Sequence, residues 1–318
     1  MNTSAKKIIA VMGATGTQGG GLIRAILADP QSEFAVRAIT RDVNSDAAKA
    51  LAKQGVEVVA ANIHDQASLE RAFAGAHGAF LVTFFWAHMS GEKEFAEASN
   101  LARAAKAAGI KHAIWSTLDD TRKWLPISDP RMPTLEGKYN VPHFDAKGEA
   151  DNVFRELGVP TTFLNTSFYW ENFIYFGQGP KPGPDGVLTL TLPMGDKKLP
   201  GVASADIGKA AYAIFKKGQD MIGKTIGLAG GHLTGEEMAA AMSKAIGKPV
   251  RYGAIEPETY RGFGFPGAIE MGNMYQVKRD FNEAYCATRN LDVARSLVPS
   301  LQSFDEWLAQ NAARIPLS

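Results

Sequence analysis

The glycines Gly13, Gly16 and Gly19 stand at G-x-x-G-x-x-G spacing directly behind the apolar run Ile8–Met12. That spacing serves phosphate chemistry. Gly13 lets the chain turn sharply out of a strand, Gly16 lets backbone approach a pyrophosphate, and Gly19 lets the next helix pack close to the sheet. The unpaired N–H groups of that helix's first turn, with the positive end of its dipole, favour an anion. Thr15, Thr17 and Gln18 fall in the same loop and are expected to line the nucleotide with the glycines. A purely structural glycine turn is the competing reading. The preceding strand, the amphipathic run Leu22, Ile23, Ile26, Leu27 and a second strand ending in a charge all favour the nucleotide. That second strand, Phe34–Thr40, runs into Arg41 where an NAD site would place an acid on the ribose diol. An arginine suits a 2′-phosphate, so NADP(H) is expected over NAD(H). Thr40 and Ser45 would add hydroxyl donors to that phosphate, and a solvated strand-end charge is the alternative for Arg41.

Further along, Asn62 and Ile63 are placed to flank an adenine with a polar edge and an apolar face. Thr83, Phe84, Phe85 and Trp86 close the fourth strand and suit the nicotinamide side of a crevice, with core packing the alternative for at least one aromatic. Pro142 marks a helix start, which puts His143 and Lys147 one turn apart on a shared face. In short-chain dehydrogenases the equivalent face carries Tyr-x-x-x-Lys, the lysine holding the nicotinamide ribose and lowering the tyrosine's pKa. Here a histidine occupies the tyrosine's place, and Tyr139 lies four residues earlier, on the loop side of Pro142. His143 can transfer a proton near neutral pH and stands with Ser116, at the end of the fifth strand, as a catalytic candidate. A passive cap or pocket wall competes for His143, a solvated helix charge for Lys147, and plain turn chemistry for Ser116.

These residues need a frame that brings strand ends together. Strands near Ile8–Met12, Val36–Thr40, Val56–Ala60, Gly78–Thr83, His112–Ser116 and Thr161–Asn165 alternate with helical patterns. The expected fold is therefore α/β: a Rossmann-type doubly wound parallel sheet, its ligand crevice at the strands' C-terminal ends, with a smaller α/β C-terminal lobe. Residues 1–165 are read as the nucleotide-binding domain, completed by about 201–230, and 166–318 as an interleaved lobe for substrate or partner. The lobe opens near the turn-rich Gly177–Gly186.

Composition sets bounds. A chain of 318 residues, 45% hydrophobic and 21% charged, can bury a full core. Net charge +1 without a basic block argues against direct nucleic-acid binding. The single cysteine, Cys286, excludes an internal disulfide and fits a reducing compartment. No membrane-length apolar run or signal peptide is read, so a cytoplasmic location is expected, and no metal site.

The segments Gly13-Ala14-Thr15-Gly16-Thr17-Gln18-Gly19-Gly20, Thr40-Arg41, His143-Phe144-Asp145-Ala146-Lys147-Gly148-Glu149 and Ser167-Phe168-Tyr169-Trp170-Glu171-Asn172-Phe173 together resemble the NmrA-like family of atypical short-chain dehydrogenases. The resemblance extends through Leu192–Asp196, Ile226–Leu228, Gly264–Ala268 and Phe304–Leu308. It implies NADP(H) contacts from Gly13–Gly19, Arg41, Lys147 and the segment Thr166, Ser167, Phe168, Tyr169. It also implies a redox-sensing regulator that lacks the active-site tyrosine and reports the NADPH/NADP+ ratio to a partner protein. A redox-sensing member of the family carries an added lysine near the position of Ser45, so the 2′-phosphate grip here would be weaker. On this reading NADP(H) orders loops Phe84–Ser90 and Tyr175–Asp185, and a homodimer is one expected assembly. The alternative is an NADPH-dependent oxidoreductase reducing a small aromatic, quinone or carbonyl substrate.

Overall fold

Short apolar runs rich in β-branched residues become the strands of one sheet, and the amphipathic stretches between them become helices on its faces. The computed structural model describes residues 5–317. Its first elements alternate strictly: β1 (Lys7–Val11), α1 (Thr17–Leu27), β2 (Phe34–Thr40), α2 (Asp46–Lys53), β3 (Glu57–Ala60), α3 (Gln66–Phe73), β4 (Gly78–Leu81), α4 (Gly91–Ala107), β5 (His112–Thr117), α5 (Pro142–Glu156) and β6 (Thr161–Asn165). With the strand Thr225–Gly227 at one edge beside β6, the sheet runs β6-β5-β4-β1-β2-β3. The pairings among β1–β6 are parallel. This is the Rossmann-type α/β fold that the alternation called for. The order reverses direction at β1, which places β1 and β4 at the topological switch point.

Two compact units divide the chain. The first comprises Met1–Asp120, Ala146–Asn165 and Ile207–Ile226. Its central strands β4 and β5 are buried along their whole length, as parallel strands covered on both faces must be. Leu69, Phe73, Leu81, Leu101, Trp115, Phe154 and Phe163 belong to its core, with Trp115 stacked on Phe154 at 5.3 Å between ring centroids. Ser45, Asp65 and Ser90 cap α2, α3 and α4 through their side chains. The start of α1 has no side-chain cap and no acidic residue in its first turn.

The second unit comprises Thr121–Asp145, Thr166–Asp206 and Gly227–Ser318. It holds two three-stranded sheets, one ordered Gly231–Leu233, Leu199–Val202, Phe168–Tyr169 and the other Val250–Ala254, Leu188–Leu192, Lys181–Pro182. Trp170, Phe173, Phe304 and Trp307 form an aromatic core, and Glu171 joins it by accepting the Trp307 Nε1–H at 3.1 Å and the Ser204 N–H at 2.9 Å. Among the described residues no helix is long and apolar enough to cross a membrane.

Candidate functional site

The loop between β1 and α1 is built from backbone alone. Gly13 has φ +61°, a conformation that a side chain would strain. A Cβ on Gly19 would lie 2.5 Å from the Gly13 carbonyl oxygen, so helix and loop meet with no room for an alanine. Gly16 donates its N–H to Gly13 O at 2.8 Å and is the N-cap of α1, with no side chain to cap it. The N-cap glycine thus offers the first turn of this eleven-residue helix no side-chain acceptor. Gln18 reaches from this helix to β5, where its Oε1 accepts the Ser116 hydroxyl at 2.8 Å.

The tip of β2 presents Arg41, exposed to solvent. Thr40 and Ser45 sit beside it but are engaged: Thr40 Oγ1 accepts the Asp42 N–H at 3.3 Å, and Ser45 Oγ donates to Asp42 O at 3.0 Å while accepting the Ala48 N–H at 3.3 Å. Asn62 folds its Oδ1 back on the His64 N–H at 3.0 Å, and Ile63 O accepts from Asn100 at 3.1 Å. Strand β4 stops at Leu81, two residues before Thr83, and the aromatics that follow divide by role. Phe84 is 59% exposed, whereas Phe85 is 2% exposed and packs edge-on against Trp86. The turn is closed by Met89 at φ +49°, a left-handed conformation uncommon for a non-glycine residue.

Lys147 lies buried on α5 with its ammonium tied to three elements. Nζ donates to Thr83 Oγ1 at 2.5 Å, pairs with Glu94 Oε1 at 2.9 Å and stands 4.8 Å over the Trp115 ring. Thr83 passes the link on by donating its hydroxyl to Glu94 Oε1 at 2.5 Å. The position of Lys147 on α5 is set by Gly148, where a Cβ would come within 2.5 Å of the Asp120 backbone nitrogen. Behind Glu94, His88 Nε2 lies 3.5 Å from Glu94 Oε2 and 3.7 Å from Glu97 Oε2. Burial, with the neighbouring Glu94 charge, raises the Glu97 carboxyl above the ordinary carboxylate range.

In the second unit the other candidates have different surroundings. His143 is 7% exposed, and both its backbone N–H and Nδ1 meet Glu270 Oε1, at 2.7 and 2.6 Å. Asp145 pins this end of α5 by accepting from the Thr121 N–H and hydroxyl and from the N–H groups of Asn140 and Val141. Thr166 O receives Nε and Nη2 of the fully buried Arg289 at 3.0 and 2.8 Å. Ser167 and Phe168 are buried, and the Tyr169 hydroxyl meets Thr166 Oγ1 at 3.2 Å, its pKa pushed up to about 12 by burial.

The structure therefore joins Gln18 with Ser116 and Lys147 with Thr83, while His143 is bound to Glu270. Reading the chain alone missed Glu94 and Glu97 on α4 and His88 in the loop before it. It also missed Glu270 and Arg289, which lie 127 and 123 residues from their partners. The N-cap serine Ser90 followed by the acids Glu92 and Glu94, a helix-start pattern, was the available signal for Glu94.

Comparison with known proteins identifies the family. The NmrA-like family model matches residues 5–308. The NmrA-like family domain-containing oxidoreductase FrzB of a Cladobotryum species is 32% identical over 285 residues, covering 83% of this chain and 80% of its own. The NAD(P)H azoreductase of Xenophilus azovorans is 28% identical, covering 85% and 87%. Crystal structures of NmrA, a negative transcriptional regulator, superpose with TM-scores of 0.78 for a complex with NADP and 0.77 for one with NAD, each at 27% identity over 96% of this chain and 95% of NmrA.

Proposed function

The chain belongs to the NmrA-like family, and on that premise we propose that it binds NADP(H) at the strand ends of its first unit and reduces a small aromatic, quinone, azo or carbonyl compound. One observation carries the reading: a buried lysine ammonium, Lys147, is fixed by Thr83 and Glu94 behind the end of β5. The residues fit a dinucleotide. The start of α1 lacks a side-chain cap and an acid, and the space around Gly19 excludes a Cβ. Gly13, Thr15, Gly16, Thr17, Gln18 and Gly19 would cradle the pyrophosphate, and Arg41, with Thr40 and Ser45, the 2′-phosphate. Asn62 and Ile63 would flank the adenine, Lys147 the ribose, and Thr83, Phe84 and Phe85 the nicotinamide side. Thr166, Ser167, Phe168 and Tyr169 remain proposed contacts through the family resemblance. The bound nucleotide supplies the hydride; the chain supplies position and a proton. Lys147 and Ser116 are the proton-handling groups of the first unit, and His143 is assigned a structural role with Glu270. The names of FrzB and the azoreductase support this reading.

The test is a fluorescence titration with NADPH, NADH and NADP+, followed by assays of NADPH oxidation across quinones, aldehydes, enones and azo dyes. Tighter binding of NADPH than NADH, with oxidation that survives His143→Phe, is expected. Failure to bind any nucleotide would overturn the reading.

A regulator responding to NADPH/NADP+ through a partner protein is the second reading. The histidine in the tyrosine's place favours it, as does the likeness to NmrA. It requires different affinities in two states, since equal binding shifts nothing. Hydrogen exchange of residues 84–90 and 175–185 that differs between NADPH and NADP+, with no oxidation of NADPH in any assay, is the result that would select it. A cytoplasmic location is proposed with either reading, from the lone Cys286.

A further inference from the structure

Two buried carboxylates behind Lys147 each turn one oxygen inward and one outward. Glu94 Oε1 faces Lys147 Nζ at 2.9 Å and Thr83 Oγ1 at 2.5 Å, while its Oε2 faces His88 Nε2 at 3.5 Å. Glu97 Oε2 faces the same His88 nitrogen at 3.7 Å, while its Oε1 faces His64 Nε2 at 3.5 Å. The order of groups is therefore Lys147, Glu94, His88 with Glu97, His64. It passes from Glu94, whose side chain is 0% exposed, out to His64, whose side chain is 63% exposed.

We propose that Glu94 and Glu97 hold one exchangeable proton behind Lys147 and return it to that lysine, with His64 as the entry from solvent. The arrangement of donors favours such a proton. His88 Nδ1 accepts the Ser90 N–H at 3.1 Å, which leaves Nε2 as the ring nitrogen that carries a hydrogen, 3.5 Å from Glu94 Oε2 and 3.7 Å from Glu97 Oε2. Among the described residues that leaves one lysine or arginine, Lys147, for two buried carboxyl groups. Charge neutrality in a low-dielectric site is met when the pair carries one negative charge and one proton. Burial and the Glu94 charge both push the Glu97 carboxyl toward its protonated form, opposed by His88 and Lys147. Lys147, Glu94 and His88 act on Glu97 from within, and His64 faces its outer oxygen.

The destination of the proton rests on the reductase reading; its presence does not. In a turnover the hydride comes from the nicotinamide and the balancing proton leaves Lys147 Nζ for the reduced substrate. The N–H bond broken there re-forms with the pair's one proton: the Glu97 O–H bond breaks, the proton passes by way of His88 Nε2 to Glu94, and the Glu94 O–H bond so formed breaks as Lys147 Nζ regains its hydrogen. Glu97 then takes a proton from His64, which recovers it from water. The side chains of the route end unchanged, and one solvent proton is consumed for each hydride. Glu94 and Glu97 are positioning and proton-holding residues, since they act through Lys147.

Infrared spectroscopy of the nucleotide-free protein near neutral pH tests the stored proton. A protonated-carboxyl C=O band is expected in the wild type and is lost in Glu97→Gln. In the exposed-site variant His64→Ala the band remains, but its shift on transfer to D2O is slower. Absence of the band, its persistence in Glu97→Gln, or an exchange rate indifferent to His64→Ala would each overturn the proposal. With an active substrate, His64→Ala lowers turnover by roughly 10²-fold at alkaline pH, the scale of one proton-transfer group, and added imidazole restores it. A wild type that oxidises no NADPH but keeps the band removes the reductase reading alone.

Discussion

At the residue scale, the buried ion pair decides what each substitution does. Lys147→Met leaves the Glu94 carboxylate inside the first unit without its cation, and the expected loss is about 3 to 5 kcal/mol at pH 7 by urea unfolding. Arg41 is exposed, so its replacement is benign for folding; Arg41→Asp is expected to cut NADPH affinity and leave NADH binding nearly unchanged, as titration of both nucleotides would report. His112 supplies a pH dependence far from the site. It is 3% exposed on β5, bonds Thr162 Oγ1 at 2.8 Å, and burial, with His77 nearby, pushes its pKa down to about 4. The unfolded chain binds this proton first, so stability is full above the ordinary histidine value near 6.5 and falls as pH drops from there toward 4. The loss over that window is about 3 kcal/mol at most, and His112→Gln removes that slope from a series of unfolding curves.

At the element scale, close backbone contact sets the positions of the helices. A Cβ on Gly208, in the helix Ser204–Lys217, would fall 2.1 Å from the carbonyl carbon of Gly21 in α1. Gly208→Ala is therefore expected to force the two helices apart and cost about 3 kcal/mol, at the upper end for overpacking, read as a fall in thermal midpoint. Gly19→Ala pushes α1 off its loop against Gly13 O and should abolish nucleotide binding with a smaller loss of stability. The element pattern itself was readable, because strand and helix periods differ and the glycines mark where one becomes the other. The ends of elements were less so: β4 closes at Leu81 and leaves Thr83 in the irregular segment beyond it, where its hydroxyl meets Lys147 and Glu94. A threonine at a strand end and one just past it look alike in sequence.

At the scale of the whole molecule, a ligand that binds only the folded chain stabilises it by mass action. NADPH at 100 times its dissociation constant should add about 2.7 kcal/mol and raise the thermal midpoint, with NADH at the same concentration adding less. A midpoint indifferent to both nucleotides would contradict the proposed cofactor. The Rossmann-type sheet and the glycine loop were legible in the chain because both are local: hydrophobic period, turn residues and glycine spacing lie within a few residues of each other. The family followed from the same motifs. Only the tertiary structure decided what the charged residues do. His143 and Lys147 look like equal members of one helical motif, yet Glu270 binds the first from 127 residues away and Glu94 and Thr83 bind the second from 53 and 64 residues away. Buried charge must be paired by whatever the fold brings near. The partner is set by the packing of distant segments, a relation that no local spacing encodes.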